Sequence, residues 1–284
     1  MSTGARDSPG ATTREHGLAR SLFADPRFGP LPALLVTLTV VTGVVDAVSI
    51  LALGRVFVAN MTGNVVFAAF ALVGVPGFSL SASLFALAGF LAGAYAGGLL
   101  IARSADRGVL LRAGTAAEVL LVAVALLIAG LSGDPGASHG TLHLGTAGAF
   151  GTVVTDLLAC MLAVALGIQN AVARRLAVPD MTTTVLPMTL TGLGADLRAV
   201  RHGTGPGAAG RTAARAALGR RLLVVAAMVA GGAAGAALAL RVSPLSAIAL
   251  ATALLAVAAL GAATASRGGS AGTASWRAFP AGKS

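Results

Sequence analysis

The feature that most constrains the fold is a pair of polar, glycine-containing or threonine-rich stretches set between long apolar runs. The first begins at Arg55 and reads RVFVANMTGNVVFAAFALVGV; the second begins at Arg175, 120 positions later, and reads RLAVPDMTTTVLPMTLTGL. A lipid-facing helix does not carry backbone of this kind, because unpaired N–H and C=O groups are costly in hydrocarbon. The pair therefore predicts two copies of one broken membrane element.

The rest of the chain is apolar enough to surround such an element. Hydrophobic residues make up 56% of the 284 positions and charged residues only 11%. About 20 consecutive apolar residues cross the ~30 Å hydrocarbon layer as a helix. The sequence predicts an all-α polytopic membrane protein with six transmembrane helices, at about residues 33–53, 80–102, 113–131, 152–173, 221–240 and 244–264.

Composition also marks the domain limits. Residues 1–30 are rich in Gly, Ser, Thr, Pro and Arg and are predicted to form a disordered cytoplasmic tail. A single membrane domain is expected over 31–265, with repeat one at 31–131 and repeat two at 150–265, followed by a cytoplasmic tail at 266–284. The first thirty residues lack the apolar core of a cleavable signal peptide, so the first span is expected to act as the insertion signal.

The net charge of +10 comes from arginines in tails and loops rather than from one basic face, which favours membrane topology over nucleic-acid binding. Basic residues concentrate in cytoplasmic loops. Arginines mark the loops at 103–112 and 195–219, whereas the linker at 132–150 has no Lys or Arg. The charges predict two inverted three-helix repeats, each with a re-entrant polar element. In the alternative, both broken stretches cross the membrane completely.

Asp46 is the deepest acid, more than half way along the first span. An aspartate at a helix centre costs about 2.5 to 3.5 kcal/mol on insertion scales, which indicates a partner or a bound proton. Arg55, Arg175 and Gln169 are the candidate partners. Two short helices after the breaks would direct free N–H groups and the positive end of their dipoles to the midplane, where a polar or anionic group can bind.

Each of these residues also has a purely structural interpretation. Asp46 can cap or bridge helices, and the Asn and Thr side chains can satisfy broken backbone or cap the short helices instead of binding a ligand. Glu118 lies near the start of its predicted span and is expected to reach the headgroups. The glycines spaced by four, at Gly89, Gly93 and Gly97 and at Gly231 and Gly235, are expected to pack helices closely.

The sequence gives no indication of catalysis at membrane depth. It has one cysteine, Cys160, and four scattered histidines, and no nucleophile, base and acid or paired carboxylates come together in the spans. We therefore expect a protein that is not an enzyme and has no cofactor or metal.

Two segments resemble the YoaK-like family of bacterial multi-pass membrane proteins, whose function is not established: GVVDAVSILALGRVFVANMTGN and GIQNAVARRLAVPDMTTTVLPMTLTGL. The resemblance extends over most of residues 33–264 and implies a location in the plasma membrane, without implying a reaction. The family positions that it carries over are Asp46, Asn60, Thr62, Gly63, Asn64, Gln169, Asn170, Asp180, Thr182, Thr183 and Thr184.

These observations together predict a small secondary transporter or permease in the lipid bilayer of the plasma membrane. It would bind a polar or anionic small molecule through those positions, between the two broken helices, and would form homo-oligomers through its glycine-striped helices. The alternative is a non-transporting membrane scaffold or sensor whose basic cytoplasmic loops bind a partner or anionic lipid. Transport predicts a water-accessible cavity at Asp46, whereas a scaffold predicts a dry, packed centre.

Overall fold

The computed structural model describes residues 28–132, 151–178, 186–202, 207–267 and 276–279. Its regular elements are α-helices: α1 (Leu31–Ala52), α2 (Met61–Leu72), α3 (Leu80–Arg103), α4 (Arg107–Leu131), α5 (Thr152–Leu176), α6 (Leu186–His202), α7 (Gly207–Arg241) and α8 (Pro244–Arg267). Within the described residues, six helices are long and apolar enough to cross a membrane, namely α1, α3, α4, α5, α7 and α8. The predicted all-α architecture with six spans is confirmed.

Two helices begin well before the predicted spans. The helix α4 begins at Arg107 rather than near residue 113, because Asp106 caps it: its Oδ1 accepts a hydrogen bond from the Val109 N–H at 2.8 Å. The helix α7 is 35 residues long, and its apolar part runs over Arg215–Arg241. The early start of α4 places its side chains deeper in the bundle than the sequence indicated.

The helices form two three-helix bundles, and each bundle takes helices from both halves of the chain. The first bundle consists of α1, α7 and α8, and the second consists of α3, α4 and α5. The short helix α2 packs on α3, and α6 packs on α7. The main contacts between the bundles are those of α4 with α8 and of α1 with α5. We call this boundary the seam.

Glycines bring α3 and α5 into backbone contact. A β-carbon on Gly93 would lie 2.1 Å from Val164 O, and one on Gly89 would lie 2.5 Å from Cys160 O. From the other side, a β-carbon on Gly167 would lie 2.4 Å from Phe90 O. Residue numbers rise together along both helices, so the helices are parallel. The predicted packing role of the glycine stripe is confirmed here.

The same packing recurs between α1 and α7. A β-carbon on Gly231 would lie 2.1 Å from Val40 O, and one on Gly43 would lie 2.5 Å from Met228 O. Gly43 and Gly167 are 124 positions apart, and Gly93 and Gly231 are 138 positions apart. The offset of 124 relates α1 to α5 and the offset of 138 relates α3 to α7, so that Val40 corresponds to Val164 and Phe90 to Met228. The α1–α7 and α3–α5 interfaces are thus two copies of one arrangement.

The helices α4 and α8 are antiparallel along the seam. A β-carbon on Gly108, in the first turn of α4, would lie 3.6 Å from the Ser266 Cβ near the end of α8. At the opposite end, Leu131 of α4 and Leu245 of α8 line a single groove. Similarly, α4 is antiparallel to α5, since Gly114 near the start of α4 lies against Val172 near the end of α5.

Part of the predicted C-terminal tail is folded against the helix ends. Trp276 is 3% exposed and lies against Gly29. The Arg107 N–H donates a hydrogen bond to Arg277 O at 2.9 Å, and Arg277 Nη2 donates to Ala265 O at 3.0 Å and to Ser266 O. The segment 276–279 therefore covers the ends of both bundles where α1 and α4 begin.

We expect Gly93→Ala to destabilise the fold, because the new methyl group would meet a backbone carbonyl that is held by helical hydrogen bonds. Overpacking of this kind typically costs about 1 to 3 kcal/mol. Chemical unfolding in detergent micelles, followed by circular dichroism, would measure the free energy.

The matched control is Gly98→Ala on the same helix, where a β-carbon meets nothing within 4 Å. That variant should be at least as stable as the parent protein, because alanine is a better helix former than glycine. Equal stability of the two variants would contradict close packing of α3 on α5.

Candidate functional site

The first broken stretch is an unwound segment between α1 and α2. It runs from Leu53 to Asn60, after α1 ends at Ala52. The backbone reverses through Gly54 (φ 78°) and Arg55 (φ 57°), both in the left-handed region. Val56 and Val58 are fully buried, so their backbone groups need partners inside the protein.

Asp46 supplies acceptors for two of these backbone groups. Its Oδ1 accepts hydrogen bonds from the Val58 N–H at 3.1 Å and from the Ala59 N–H at 3.2 Å. The residue lies on α1, almost two turns before the helix ends, and is 6% exposed. A carboxylate that accepts backbone N–H groups forms charge-assisted hydrogen bonds, which are stronger than neutral ones. Asp46 thus holds the returning segment against α1.

Asn64 holds the preceding residue from the other side. Its Oδ1 accepts from the Phe57 N–H at 2.8 Å, and its Nδ2 donates to Phe57 O at 2.6 Å. The side chain is 0% exposed, so both backbone groups of Phe57 are satisfied without water. We call Asp46, Asn64 and the residues that they bind, Phe57 to Ala59, the clamp.

The other predicted residues of this stretch lie outside the clamp. Asn60 and Thr62 are exposed, and Asn60 occupies the N-cap of α2 without a side-chain hydrogen bond to the helix. Gly63 faces the Phe57 ring, where a β-carbon would lie 2.5 Å from Cδ2. Gly63 is therefore required for close approach of α2 to the segment.

Gln169 connects the two bundles at the seam. It lies on α5, is 1% exposed, and its Nε2 donates to Thr42 Oγ1 at 2.8 Å. Thr42 is one turn before Asp46 on α1 and donates its own hydroxyl to Leu38 O at 2.9 Å. The next residue, Asn170, is half-buried and donates from Nδ2 to Leu166 O at 3.1 Å.

The centre of the second broken stretch falls outside the described residues, and with it Asp180, Thr182, Thr183 and Thr184. The part that is described begins as the first one does, with an interruption of the helix. α5 ends at Leu176, and Ala177 takes a left-handed conformation at φ 49°. α6 then begins at Leu186.

The two candidate charge partners of Asp46 lie on aromatic rings. The Arg55 Cζ is 5.8 Å from the centroid of the Phe78 ring, and the Arg175 Cζ is 4.5 Å from that of Phe279. Contacts of this kind are cation–π interactions. Phe78 in turn packs on Phe67, with ring centroids 4.9 Å apart. In this structure Asp46 is bound by backbone N–H groups.

Glu118 is a buried acid that the sequence pattern placed at the wrong depth. The expectation that it reaches the headgroups is wrong, since it is 1% exposed. Because α4 begins at Arg107, Glu118 lies about three turns inside the helix. Asp106 is an N-cap residue type directly before Arg107, and it is the sequence signal that could have shown that α4 begins there.

The described residues contain no group of three or more His, Cys, Asp or Glu side chains placed to hold a metal ion. The clamp provides a carboxylate and an amide that bind backbone, and Gln169 provides an amide that binds the Thr42 hydroxyl across the seam. Such groups can bind polar solutes or protons when the helices around them move.

Comparison with known proteins agrees with the sequence resemblance. Residues 34–261 match the family described as Protein of unknown function (DUF1275). The UPF0700 transmembrane protein YoaK of Bacillus subtilis (strain 168) is 31% identical over 164 residues, which are 58% of this chain and 66% of YoaK. The match thus covers just under two thirds of the length of that relative. No solved structure matches the chain.

We expect Asn64→Ala to lower the free energy of unfolding by about 1 to 3 kcal/mol, because the N–H and C=O of Phe57 would be left buried without partners. Asn60→Ala is the matched control: it is the same change four residues earlier, at an exposed side chain, and should stay within about 0.5 kcal/mol of the parent. Unfolding of both variants in detergent would measure the difference. If Asn60→Ala lowered the free energy of unfolding more than Asn64→Ala did, the stabilising role of Asn64 in the clamp would be contradicted.

Proposed function

The chain belongs to the family described as Protein of unknown function (DUF1275), and from the geometry of the clamp we propose that it is a small secondary transporter of the bacterial plasma membrane. Its solute would be a polar or anionic small molecule bound between the two broken segments. The six apolar helices and the likeness to a transmembrane protein establish the coarser statement, that it is a multi-pass membrane protein.

The clamp is the observation that carries the proposal. A buried, unwound segment is held by side chains from two helices, Asp46 on α1 and Asn64 on α2, rather than by neighbouring backbone. Secondary transporters commonly build their solute and ion sites from such interrupted helices near the middle of the membrane. Side-chain hydrogen bonds can be exchanged for bonds to a solute without breaking a helix.

The repeated packing supports an inverted-repeat architecture. α1 is parallel to α7 and α3 is parallel to α5, whereas α4 and α8 are antiparallel. The counterparts in the two halves are α1 and α5, α3 and α7, and α4 and α8. The observed directions are those expected if the two helices of each such pair run in opposite directions. In transporters of this class, access alternates by rocking of one bundle against the other around a central site. The seam is the surface on which the two bundles would rock.

The residues that we assign to the solute site cluster on this seam or next to it. Asp46 and Thr42 come from the first bundle, and Gln169 comes from the second. Asp46, Asn64 and Gln169 are almost completely closed off from solvent. These closed side chains match the dry, packed centre that a scaffold predicts; in a transport cycle this conformation would be the occluded one, and opening would separate Gln169 from Thr42. Asp180, Thr182, Thr183 and Thr184 would complete the site from the second stretch.

A non-transporting membrane scaffold or sensor is the second candidate. The observation that favours it is the same dryness of the centre, since the clamp side chains are bonded to backbone and closed to water. The basic residues in the loops would then bind a protein partner or anionic lipid. The transporter would need the charge of Asp46, whereas the scaffold would need only its acceptor oxygen.

Transport would be measured in proteoliposomes against pools of polar and anionic solutes, under proton and sodium gradients. We expect Asp46→Asn to reduce solute flux at least about tenfold, equivalent to about 1.4 kcal/mol. The asparagine oxygen keeps an acceptor for Val58 and Ala59, so the fold should survive.

The control is Asp106→Asn, the same change at a helix N-cap, where asparagine caps as well as aspartate. It should transport normally. If the parent protein moved no solute under either gradient, the scaffold proposal would replace the transporter.

The membrane topology has its own test. The variants His139→Cys and Arg211→Cys, each made in a Cys160→Ser background, would be labelled with a membrane-impermeant reagent in intact and in opened cells. We expect His139 to be labelled from outside and Arg211 only after opening, with both termini cytoplasmic. Labelling of both in one compartment would mean that the broken stretches cross the membrane, and the inverted arrangement would be lost.

A further inference from the structure

Glu118 is a buried acid that the proposed solute site does not use. It lies on α4, in the middle of the face that carries the buried residues Leu111, Thr115 and Val122. The side chain is 1% exposed, and its Oε2 is buried without a hydrogen-bond partner among the described residues. A carboxylate in that position would be a buried charge without a counter-ion.

The helices around Glu118 supply no opposite charge at its level. From Pro244 to Ser266, α8 has no titratable side chain. The titratable residues of α3 are Tyr95, which is 70% exposed, and Arg103 at its last position. α5 carries Asp156 near its start, Cys160 one turn later, and Arg174 and Arg175 at its end. On α4 itself, Arg112 is exposed, and the Arg107 guanidinium lies over the Phe28 ring.

Gln169 also has a buried acceptor oxygen that lacks a donor. Its Nε2 donates to Thr42 Oγ1, but its Oε1 is buried without a donor among the described residues. The antiparallel contact of Gly114 with Val172 fixes the register of α4 on α5. One turn along α4 from Gly114 is Glu118, and about one turn back along α5 from Val172 is Gln169. Two acceptor oxygens that lack a donor therefore lie at the same level of the bundle.

We propose that Glu118 binds a proton at neutral pH and donates it as a hydrogen bond to Gln169 Oε1. A protonated carboxyl has one O–H donor, which is what the amide oxygen lacks. Protonation also removes the buried charge. A metal cation fits less well, because it needs more oxygen ligands than these two atoms, and Thr42 Oγ1 is already bonded to Gln169 and to Leu38 O.

The site has a structural consequence at the seam. Gln169 belongs to the second bundle and is bonded to Thr42 of the first, one turn from Asp46. With Glu118 protonated, both ends of the Gln169 amide are satisfied and the two bundles are held together. Release of the proton would place a carboxylate beside the amide oxygen and would loosen this contact. The proposal concerns proton binding alone; it shares Gln169 with the proposed solute site but holds whether or not a solute is transported.

The chain permits a direct test, because it has only two glutamates, Glu15 and Glu118, and only one glutamine, Gln169. Full-length Glu15→Ala protein would be made by cell-free synthesis with glutamate carrying carbon-13 at the side-chain carboxyl, and placed in lipid nanodiscs. The single labelled carboxyl is then Glu118, and Glu118→Gln confirms the assignment by removing the signal. We expect the chemical shift of a neutral acid at pH 7, where an exposed glutamate is ionised.

A carboxylate signal at pH 7 would overturn the proposal. So would a signal that switches to the carboxylate form when choline chloride is replaced by sodium chloride, because the site would then hold sodium. The Gln169 contact is tested without mutating either residue, by labelling the glutamine side-chain nitrogen with nitrogen-15. Dipolar coupling between the two labels is expected, and its absence would exclude Gln169 as the acceptor.

Discussion

The hydrogen bonds from the Val58 and Ala59 N–H groups to Asp46 Oδ1 are the interaction on which the first half of the structure depends. They allow the chain to leave the end of α1 and return against it without a second strand or helix to pair the backbone. Unsatisfied backbone groups are not tolerated at membrane depth unless protein surrounds them. An acid that looks costly from its position in an apolar helix is thereby used as a backbone acceptor, and Asn64 serves the adjacent residue in the same way.

The two bundles follow from a second constraint, the close approach of helix backbones at glycine. Gly93 and Gly231 each face a carbonyl oxygen of a helix from the other half of the chain, Val164 O and Val40 O. Each half therefore gives its first long helix to the bundle of the other half. The halves cannot fold as separate domains in this arrangement, because neither bundle is complete without both. This exchange also leaves the polar residues Asp46, Thr42 and Gln169 at the boundary between bundles rather than inside one of them.

Much of this architecture could be predicted from the sequence, because bilayer thickness determines helix length and small residues determine close contacts. The six spans, the interrupted element after α1 and the glycine packing all followed from local pattern. The exchange of helices between bundles did not, since it depends on which glycine stripe meets which helix. The partners of Asp46 also escaped prediction: Arg55, Arg175 and Gln169 were the candidates, whereas Arg55 lies in the left-handed turn and over Phe78, and backbone N–H groups bind the carboxylate. Glu118 was misplaced because the start of α4 was set six residues too late.

The repeated packing makes the acids stand out, because they do not repeat. The offset that relates Gly43 to Gly167 also relates Asp46 to Asn170, so the second half carries a neutral amide where the first has a carboxyl. α8, the counterpart of α4, has no acid between Pro244 and Ser266 to match Glu118. The two copies keep the glycines and differ in the acids, since Asp46 and Glu118 of the first half and the buried Asp156 of the second have no acidic counterpart. Asp46 and Glu118 lie on α1 and α4, the helices of the first half that face α5 and α8 of the second along the seam.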